Sequence, residues 1–432
     1  YYNRGLERPV EREDITGGSK YNTAYEGYNW GAGAKYKLSK RNVIQFDYSG
    51  NNYASRYKYL IENSGYLPGQ YALTKLQKFH DAELKGIFGF TTNSTTVFGV
   101  DYRREVLRRP DSDLDKSVYT TSAYGQHEVK LWNHLTGVVG VRYDHHEQTG
   151  GRFTPKVAAM YNIGNFNVRA TYAAGFRAPG IDELYYHMFK KTMGTRATIS
   201  LGDENLDPER SNYYSINMEY RTNRFSASVT GYLNYVKNMV TSKSTKFDDL
   251  PEAEQNQLRE EFPEIGDLSS TKNLSVKNYF NFEKATVKGF EVNLNGNLFP
   301  GFTLTGNYTY AYGRGLNEGG EWQNIERSIR HTATITGNYT HSWSDYTLNL
   351  NLNGRLQSKV YYPGDADGNA PGYGIWNFNT RHTFDGFRNF VIEPGIGIDN
   401  IFNKKDNRPL NKNFALYSPG RSVVISLALR LK

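Results

Sequence analysis

One histidine, His187, directly follows two tyrosines, Tyr185 and Tyr186, in a long polar segment. A neutral imidazole is a strong ligand for iron, including haem iron, and tyrosine offers either a phenolate ligand or a ring that stacks on a flat ligand. The alternative is that these aromatic residues pack where a strand ends and that His187 is an ordinary exposed residue. Both interpretations stay open on these residues alone.

Two proline-containing boxes flank this segment. The first is Phe176, Arg177, Ala178 and Pro179, and the second is Asn205, Leu206, Asp207 and Pro208, which Glu209 follows. Proline fixes the backbone at a corner. Arg177 and Glu209 are predicted to form a charge pair that brings the two loop ends together, which is a structural role rather than contact with a ligand.

The common signatures of catalysis are missing from the sequence. It contains no H-E-x-x-H, G-x-S-x-G or Walker motif, and it has no cysteine for a disulfide or a thiolate metal site. Asp365, Asp367 and Asn369 echo part of a calcium loop, but no glutamate follows at the required spacing, so a polar turn is predicted. We therefore expect neither an enzyme nor a catalytic cofactor.

Composition and charge narrow the class of protein. The 432 residues include 15% aromatic residues, which argues against a disordered chain. They contain no run of apolar residues long enough for a transmembrane helix. The net charge of +8 arises from 52 Lys and Arg interspersed with 44 Asp and Glu, so no basic face for nucleic acid is predicted. No linker divides the chain, and one large β domain is the simplest organisation.

Most of the sequence alternates apolar and polar residues with a period of two, which is typical of strands with one apolar face. Phe166, Val168 and Ala170, for example, alternate with Asn167 and Arg169. About 17 strands of this kind are predicted. They begin near Trp30, Val43, His80, Thr95, Val118, Leu135, Thr154, Asn165, Asn212, Phe225, Ala285, Phe302, Arg330, Asp345, Gly374, Asn389 and Arg421.

The predicted connections tend to alternate between short and long. Short turns are predicted at 39–42, 91–94, 132–134, 163–164, 222–224, 299–301, 342–344 and 386–388. Long polar segments lie between them, such as 176–211 and 237–284, and a short acidic helix is predicted within 248–267. A transmembrane barrel has short periplasmic turns, long extracellular loops and an apolar face toward lipid, whereas a soluble sandwich has no reason to sort its loops. The predicted fold is therefore all-β, a transmembrane antiparallel β-barrel in outer-membrane lipid.

The direction of the strands bears on what lies beyond the chain. If the short turns are periplasmic, the strand near Trp30 and the last strand from Arg421 both descend from outside. A closed barrel with an even number of strands cannot begin and end in this way, unless residues 1–28 contain an ascending strand. Barrels of about 22 strands have a plugged lumen and act as transporters. We expect residues 1–432 to be a partial barrel domain whose N-terminal plug and first strands are absent.

At the two boxes, the sequence resembles the TonB-dependent outer-membrane receptors, specifically the haem and haemoprotein receptors. Residues 176–179 are similar to the FRAP box of that family and residues 205–208 to its NPNL box, although Asp203 and Glu204 stand where Asn-Pro is usual. The resemblance implies that His187 occupies the place of an axial ligand to haem iron.

The resemblance also implies a function. It implies a receptor in the cell outer membrane that imports an iron-bearing ligand, most simply haem, free or from haemoproteins, with energy from the TonB complex through the missing N-terminal region. Cobalamin or a siderophore is the alternative ligand within this class. Outside it, the alternative is a non-energised porin or a surface module that binds a haemoprotein. A haemoprotein or a surface lipoprotein is the expected protein partner.

Overall fold

A computed structural model shows an almost entirely β-stranded chain. The residues that the structure describes are 2–4, 21–62, 65–191, 197–316, 319–325, 327–361, 371–405 and 420–432. Among them, all strands belong to one 21-stranded sheet. In chain order they are β1 (Tyr2–Arg4), β2 (Tyr21–Lys37), β3 (Asn42–Tyr59), β4 (Tyr71–Thr91), β5 (Ser94–Arg109), β6 (Leu114–Lys130), β7 (Leu135–His146), β8 (Gly150–Ile163), β9 (Phe166–Arg177), β10 (His187–Lys191), β11 (Ala197–Leu201), β12 (Glu209–Arg221), β13 (Phe225–Lys246), β14 (Leu274–Phe299), β15 (Phe302–Leu316), β16 (Trp322–Asn324), β17 (His331–Ser342), β18 (Tyr346–Gln357), β19 (Tyr373–Phe384), β20 (Phe390–Asp399) and β21 (Ser422–Leu431).

Helices in the described residues are confined to connections between strands. The α-helices are α1 (Ile181–Tyr185) and α2 (Glu252–Glu261). Short 3-10 helices span Pro110–Ser112, Phe247–Asp249 and Pro263–Asp267. The acidic helix predicted within 248–267 is confirmed as α2. Across the part of the chain that the structure describes, no helix is both long and apolar enough to cross a bilayer.

The strands pair in the order of the chain, except that β9 pairs with β12 past β10 and β11, and β15 pairs with β17 past β16. Antiparallel ladders connect β1 through β9, then β9 pairs directly with β12, and the sheet continues through β15 and β17 to β21. Every predicted strand is present, as β2 to β9, β12 to β15 and β17 to β21. β1 pairs antiparallel with β2 over three residues, Tyr2 to Arg4, in the ascending direction that strand parity allowed within residues 1–28. The directions of the first and last strands therefore do not determine how many strands the complete barrel has. A total of about 22 strands stays a prediction.

The two faces of the sheet have opposite character. On β12, Tyr214, Ile216 and Met218 are 46%, 55% and 58% exposed, although they are large and apolar. The alternate positions of this strand hold polar residues such as Asn217 and Glu219. Successive side chains of a strand point to opposite faces, so the exposed apolar face is the one that meets lipid and the polar face lines the interior.

Connections differ between the two ends of the sheet. The tight turns lie at each predicted position, and two of them use glycine with positive φ, Gly164 at 56° and Gly301 at 81°. At the opposite end, the prediction that 237–284 is a loop was wrong at both edges, because β13 continues to Lys246 and β14 already begins at Leu274. The end of β13 is mostly polar, whereas β14 begins with an alternation in which Leu274 and Val276 pack in a hydrophobic core and Ser275 and Lys277 lie on the other face.

A separate hydrophobic core lies at the end of the sheet that carries the long connections. β10 pairs with β11, and β11 pairs in parallel with the first residues of β14. We call β10, β11 and residues 247–268 the cap. Its core consists of Ala197, Ile199, Phe247, Leu258, Phe262, Ile265, Leu274 and Val276. The helical segment 247–268 thus covers one face of the small sheet and holds it against the first residues of β14.

Candidate functional site

An arginine between two glutamates joins the two boxes. Arg177, the last residue of β9, is opposite Glu209, the first residue of β12. Arg177 Nη2 donates to Glu209 Oε1 at 2.6 Å, and its Nη1 donates to Glu183 Oε2 at 2.9 Å. The predicted charge pair is confirmed, and Glu183 adds a second carboxylate that the sequence reasoning missed. Both carboxylates are 19% exposed, so the guanidinium compensates two largely buried charges.

The first box continues into α1 because its residues begin a helix. Pro179 sets a rigid corner, and the Gly180 N–H donates to Glu183 Oε2 at 2.8 Å, which satisfies an amide at the helix start. Ile181 packs in a cluster with Leu107, on the inner face of β5. α1 is therefore held against the inside of the barrel wall.

The second box is held by two asparagines. The Asp207 N–H donates to Asn281 Oδ1 at 2.9 Å, and Asn281 Nδ2 donates to the Asp207 carbonyl at 3.0 Å. Asn281 Nδ2 also donates to the carbonyl of Asn238, whose φ is 56°.

The first residues of the second box make local contacts. The Asn205 N–H donates to Asp203 Oδ1 at 2.8 Å. Leu206 is 5% exposed and packs with Leu184 of α1. These contacts hold the second box against β14 and α1.

A glycine allows the two boxes to approach each other. The Gly202 N–H donates to the Tyr186 carbonyl at 2.5 Å, and the Asp203 N–H donates to the Glu183 carbonyl at 3.0 Å. A Cβ on Gly202 would lie 2.6 Å from the carbonyl carbon of Leu184. Only glycine fits at this contact without a shift of the backbone.

His187, the first residue of β10, contacts the C-terminal end of α2. Its ring stacks on Phe262 with centroids 4.5 Å apart, and its Nε2 is 3.1 Å from Glu261 Oε2. Hydrogen bonds from Gln257 and then from His187 lower the pKa of Glu261. The His187 side chain remains 56% exposed. One ring nitrogen is therefore engaged by a carboxylate, and one ring face is covered by a phenyl ring.

The neighbouring tyrosines contact cations of the barrel wall. Lys116 Nζ lies 4.7 Å from the Tyr185 ring centroid, and Arg109 Nη1 is 3.4 Å from the Tyr186 hydroxyl. Burial raises the pKa of both tyrosines. Ligation of iron through oxygen requires the phenolate, so the raised pKa opposes that role at both positions.

A polar cavity lies on the inner face beside the first box. It has a volume of about 420 Å³, and its lining includes Arg103, Glu105 and residues 176–180. Arg142 crosses its wall, with Nη2 at 2.7 Å from Asp101 Oδ2 and Nε at 2.7 Å from Asp144 Oδ1. The interior at this level is therefore polar, as expected for the lumen of such a barrel.

A column of tyrosines, which sequence reasoning missed, lines the inner face at the loop end of β2 and β3. Its members are Tyr21, Tyr25, Tyr53, Tyr57, Tyr59 and Tyr66. The centroids of Tyr21 and Tyr57 are 3.9 Å apart, and those of Tyr59 and Tyr66 are 4.9 Å apart with nearly parallel planes. The sequence did contain a signal for this column. The odd-numbered tyrosines of β3 share one face of the strand with its polar residues, and this face points inward.

Metal sites of the usual protein type do not occur in the described ranges, which contain no group of three His, Asp or Glu residues placed to hold an ion. The calcium-like segment 365–369 lies outside those ranges.

Comparison with known proteins identifies the family. The family description "TonB dependent receptor-like, beta-barrel" matches residues 2–401. The ferric enterobactin receptor PirA of Pseudomonas aeruginosa is 24% identical over 315 residues, covering 67% of this chain and 38% of that protein. The ferrienterobactin receptor of Escherichia coli is 21% identical over 429 residues, covering 87% and 52%. The vitamin B12 transporter BtuB of Vibrio cholerae is 25% identical over 182 residues, covering 41% and 27%.

A solved structure gives the same fold. The crystal structure of the ferric enterobactin receptor PfeA of Pseudomonas aeruginosa matches with a TM-score of 0.67 at 17% identity, covering 96% of this chain and 62% of that chain. This likeness confirms the predicted barrel fold. The chain spans about half or less of the length of the curated relatives. Those relatives are receptors and transporters by name, which confirms that the chain is not an enzyme. The chain belongs to the TonB-dependent receptor family and forms a β-barrel of the outer membrane.

Proposed function

We propose that this barrel belongs to a receptor that captures a ferric siderophore of the catecholate class and imports it across the outer membrane. The observation that carries this proposal is the tyrosine column on the inner face at the loop end. The names of two relatives, both receptors for ferric enterobactin, support the same ligand class. Haem, the ligand predicted from the sequence, is the second candidate.

The tyrosine column fits the chemistry of a ferric catecholate. Such a complex presents flat aromatic rings around the iron and carries a net negative charge. Phenol rings stack on flat rings in offset or edge contacts, and the column offers several of them on one wall. Lys75 of β4 is opposite Ser55, which lies between Tyr53 and Tyr57 on the same face of β3, and so places a cation beside the column.

Haem remains the second candidate, because the His187 side chain at the start of β10 is about half exposed. For His187 to bind iron through Nε2, with Tyr185 and Tyr186 beside it, the ring would have to leave Glu261 Oε2, which lies 3.1 Å away. The raised pKa of the two tyrosines opposes phenolate ligation. Cobalamin, an open porin and a surface haemoprotein-binding module are further outcomes that the binding test separates. The haemoprotein or lipoprotein partner stays a prediction.

The test is a binding titration of the full-length receptor with ferric enterobactin, haemin and cyanocobalamin. A Tyr25→Ala/Tyr57→Ala variant is compared with Tyr214→Ala/Tyr235→Ala, which removes two tyrosines from the lipid-facing side. Loss of two stacking rings, at about 1 kcal/mol each, predicts ferric enterobactin binding at least 10-fold weaker in the first variant only. Equal affinities in the two variants would remove the column from the site. A haemin Soret shift that His187→Ala abolishes, without ferric enterobactin binding, would replace the siderophore with haem.

We propose further that import is energised through TonB, by a plug and contact region in sequence outside this chain. The family membership and the greater length of the relatives support this. Uptake of ferric enterobactin by cells that express the full-length receptor should stop when TonB is deleted, whereas binding at the cell surface should persist. Uptake that continues without TonB would instead indicate an open pore.

A further inference from the structure

The inner face of the barrel carries a surface of amides and hydroxyls on the neighbouring strands β15, β17 and β18. We call the following inward positions the amide wall: the odd-numbered residues 303–313, the even-numbered residues 332–342 and the odd-numbered residues 347–353. Apart from Ala311 and Gly313, each of these residues is Thr, Asn or Ser. The amide wall therefore carries no formal charge.

The amide wall extends along the whole membrane-spanning part of the lumen. Its positions alternate along their strands with Leu304, Ile335 and Leu352, which are exposed on the lipid-facing side, so its side chains point inward. From Thr332 to Ser342 on β17 it extends about 26 Å, at about 3.4 Å per residue and a tilt of about 40°. The apolar band of such a barrel is about 25 Å tall. One uncharged surface therefore connects the loop end of the barrel with its turn end.

Neighbouring side chains of the amide wall satisfy one another. Asn307 Nδ2 donates to Thr334 Oγ1 at 3.1 Å, from β15 to β17. Asn353 Nδ2 donates to Thr336 Oγ1 at 2.7 Å, from β18 to β17. An amide side chain has two N–H donors and an oxygen with two lone pairs, so each asparagine keeps further capacity for hydrogen bonds with water. The amide wall therefore needs no charged partner, and its remaining hydrogen bonds exchange with water.

A second surface of the lumen has the opposite chemistry. We call it the charged wall, and it consists of the odd-numbered residues 81–85 of β4, the odd-numbered residues 101–105 of β5 and the even-numbered residues 142–144 of β7. These positions alternate with exposed apolar residues such as Leu84 and Val100, so they point inward. Each of them is Asp, Glu, Lys or Arg, and carboxylates outnumber cations. The strands β8, β9, β12, β13 and β14 separate this wall from the amide wall, so the two walls lie on different sides of the lumen.

Each cation of the charged wall already contacts a carboxylate of the same wall. Lys85 Nζ lies 2.6 Å from Glu83 Oε2, and Arg103 Nε lies 3.2 Å from Asp81 Oδ2. Arg142 is shared by two carboxylates, as described for the polar cavity. The positive charge of this wall is thus compensated, and its surplus of carboxylates repels anions. The charged wall therefore opposes the approach of an anionic ligand.

We propose that the imported ligand descends the lumen along the amide wall and that the charged wall excludes it from the other side. This inference rests on the proposed function, because it requires an anionic ligand such as a ferric catecholate. An uncharged surface neither repels an anion nor holds it at a fixed cation, and passage requires contacts that are favourable enough to enter and weak enough to leave. The amide and hydroxyl groups supply such contacts directly or through water.

The test places negative charge on the amide wall of the full-length receptor. Asn307→Asp/Asn351→Asp adds two carboxylates with almost no change in side-chain volume. The control, Ser49→Asp/Gln126→Glu, adds two carboxylates at inward positions of β3 and β6, beside the charged wall. Surface binding and uptake of ferric enterobactin labelled with radioactive iron are measured on the same cells. We expect uptake to fall about 10-fold in Asn307→Asp/Asn351→Asp and to stay within about twofold in the control, with surface binding unchanged in both.

The two measurements separate the route from the ligand. Absence of ferric enterobactin binding by the unaltered receptor would refute the proposed function, and the route with it. Normal binding with equal uptake in the two variants would overturn the route alone.

A second experiment tests the route without added charge on the protein. This chain has no cysteine, so a single introduced thiol reports the accessibility of one position. A sulfonate-bearing thiol reagent, itself an anion, is added outside cells during uptake of ferric enterobactin. We expect it to modify Thr305→Cys of the amide wall about fivefold faster in cells with TonB than in cells without it, and Ser49→Cys equally in both. Equal acceleration at the two positions, or acceleration at Ser49→Cys alone, would overturn the proposal.

Discussion

Substitution of Arg177 by methionine should open both boxes at once. The guanidinium donates to Glu183 and Glu209, and Glu209 Oε1 in turn accepts the Val240 N–H at 2.8 Å. Methionine keeps the aliphatic length but leaves two carboxylates, each 19% exposed, without their cation. A hydrogen bond to a charged group contributes about 1.5–3 kcal/mol. Because the Arg177 side chain is 45% exposed, solvent compensates part of this loss.

The discounted cost of Arg177→Met is about 2 kcal/mol, which corresponds to a 30-fold larger population of the open form. Amide hydrogen exchange of the full-length receptor measures this population at α1 and at residues 202–208. The strands β12 and β13 should keep their protection, because their ladders do not depend on Arg177.

The matched control for Arg177→Met is Arg221→Met. Arg221 pairs with Glu219 at 2.5 Å, but its side chain is 68% exposed at the turn end of β12. An exposed pair contributes little, so exchange should stay within about twofold of the unaltered protein at every segment. The reasoning is refuted if both variants behave alike, or if Arg177→Met accelerates exchange over the whole barrel.

Three further outcomes follow from other contacts. Gly202→Ala should destabilise the packing of the second box on α1 by about 2–3 kcal/mol, seen as faster exchange at α1, whereas Gly125→Ala, in open space, should leave it unchanged. Asn281→Leu should expose the second box to protease by roughly 10-fold or more, since it removes hydrogen bonds at 2.9 and 3.0 Å; unchanged cleavage would contradict this. The pKa of Glu261 is lowered in the folded protein. Its ionised carboxylate therefore stabilises the cap at pH values above the pKa of an ordinary glutamate, and this stabilisation is lost as the pH falls through the lowered pKa of Glu261. Protection of α2, corrected for intrinsic exchange, should therefore fall in acid, and Glu261→Gln should remove that dependence.

The sequence predicted the barrel wall because lipid imposes the period of two on every strand. β12 illustrates this, with its exposed Ile216 and Met218 alternating with polar neighbours. It did not predict β10 and β11, because their short segments have no sustained alternation. The partner of β11 in β14 lies 77 residues further along the chain, as the pair Thr198 and Ser275 shows, and such pairing has no local signal.

The candidate site was predicted only where residues lie near each other in a motif. Arg177 and Glu209 flank their boxes and were expected to meet. Glu183 stands three residues after Gly180, which is the spacing of a capping interaction, so the signal for its role was present. The tyrosine column draws Tyr21, Tyr57 and Tyr66 from two strands and a loop, and only the register of β2 against β3 brings them together.

The parallel pairing of β11 with β14 sets an order of assembly. β11 leaves the ribosome before β12, β13 and β14, yet the edge that it needs is supplied by the last of them. Closing so long a loop costs chain entropy that is recovered only when the partner is in place. The cap is therefore completed after the wall behind it, and a substitution that delays the membrane insertion of β14 delays the cap as well.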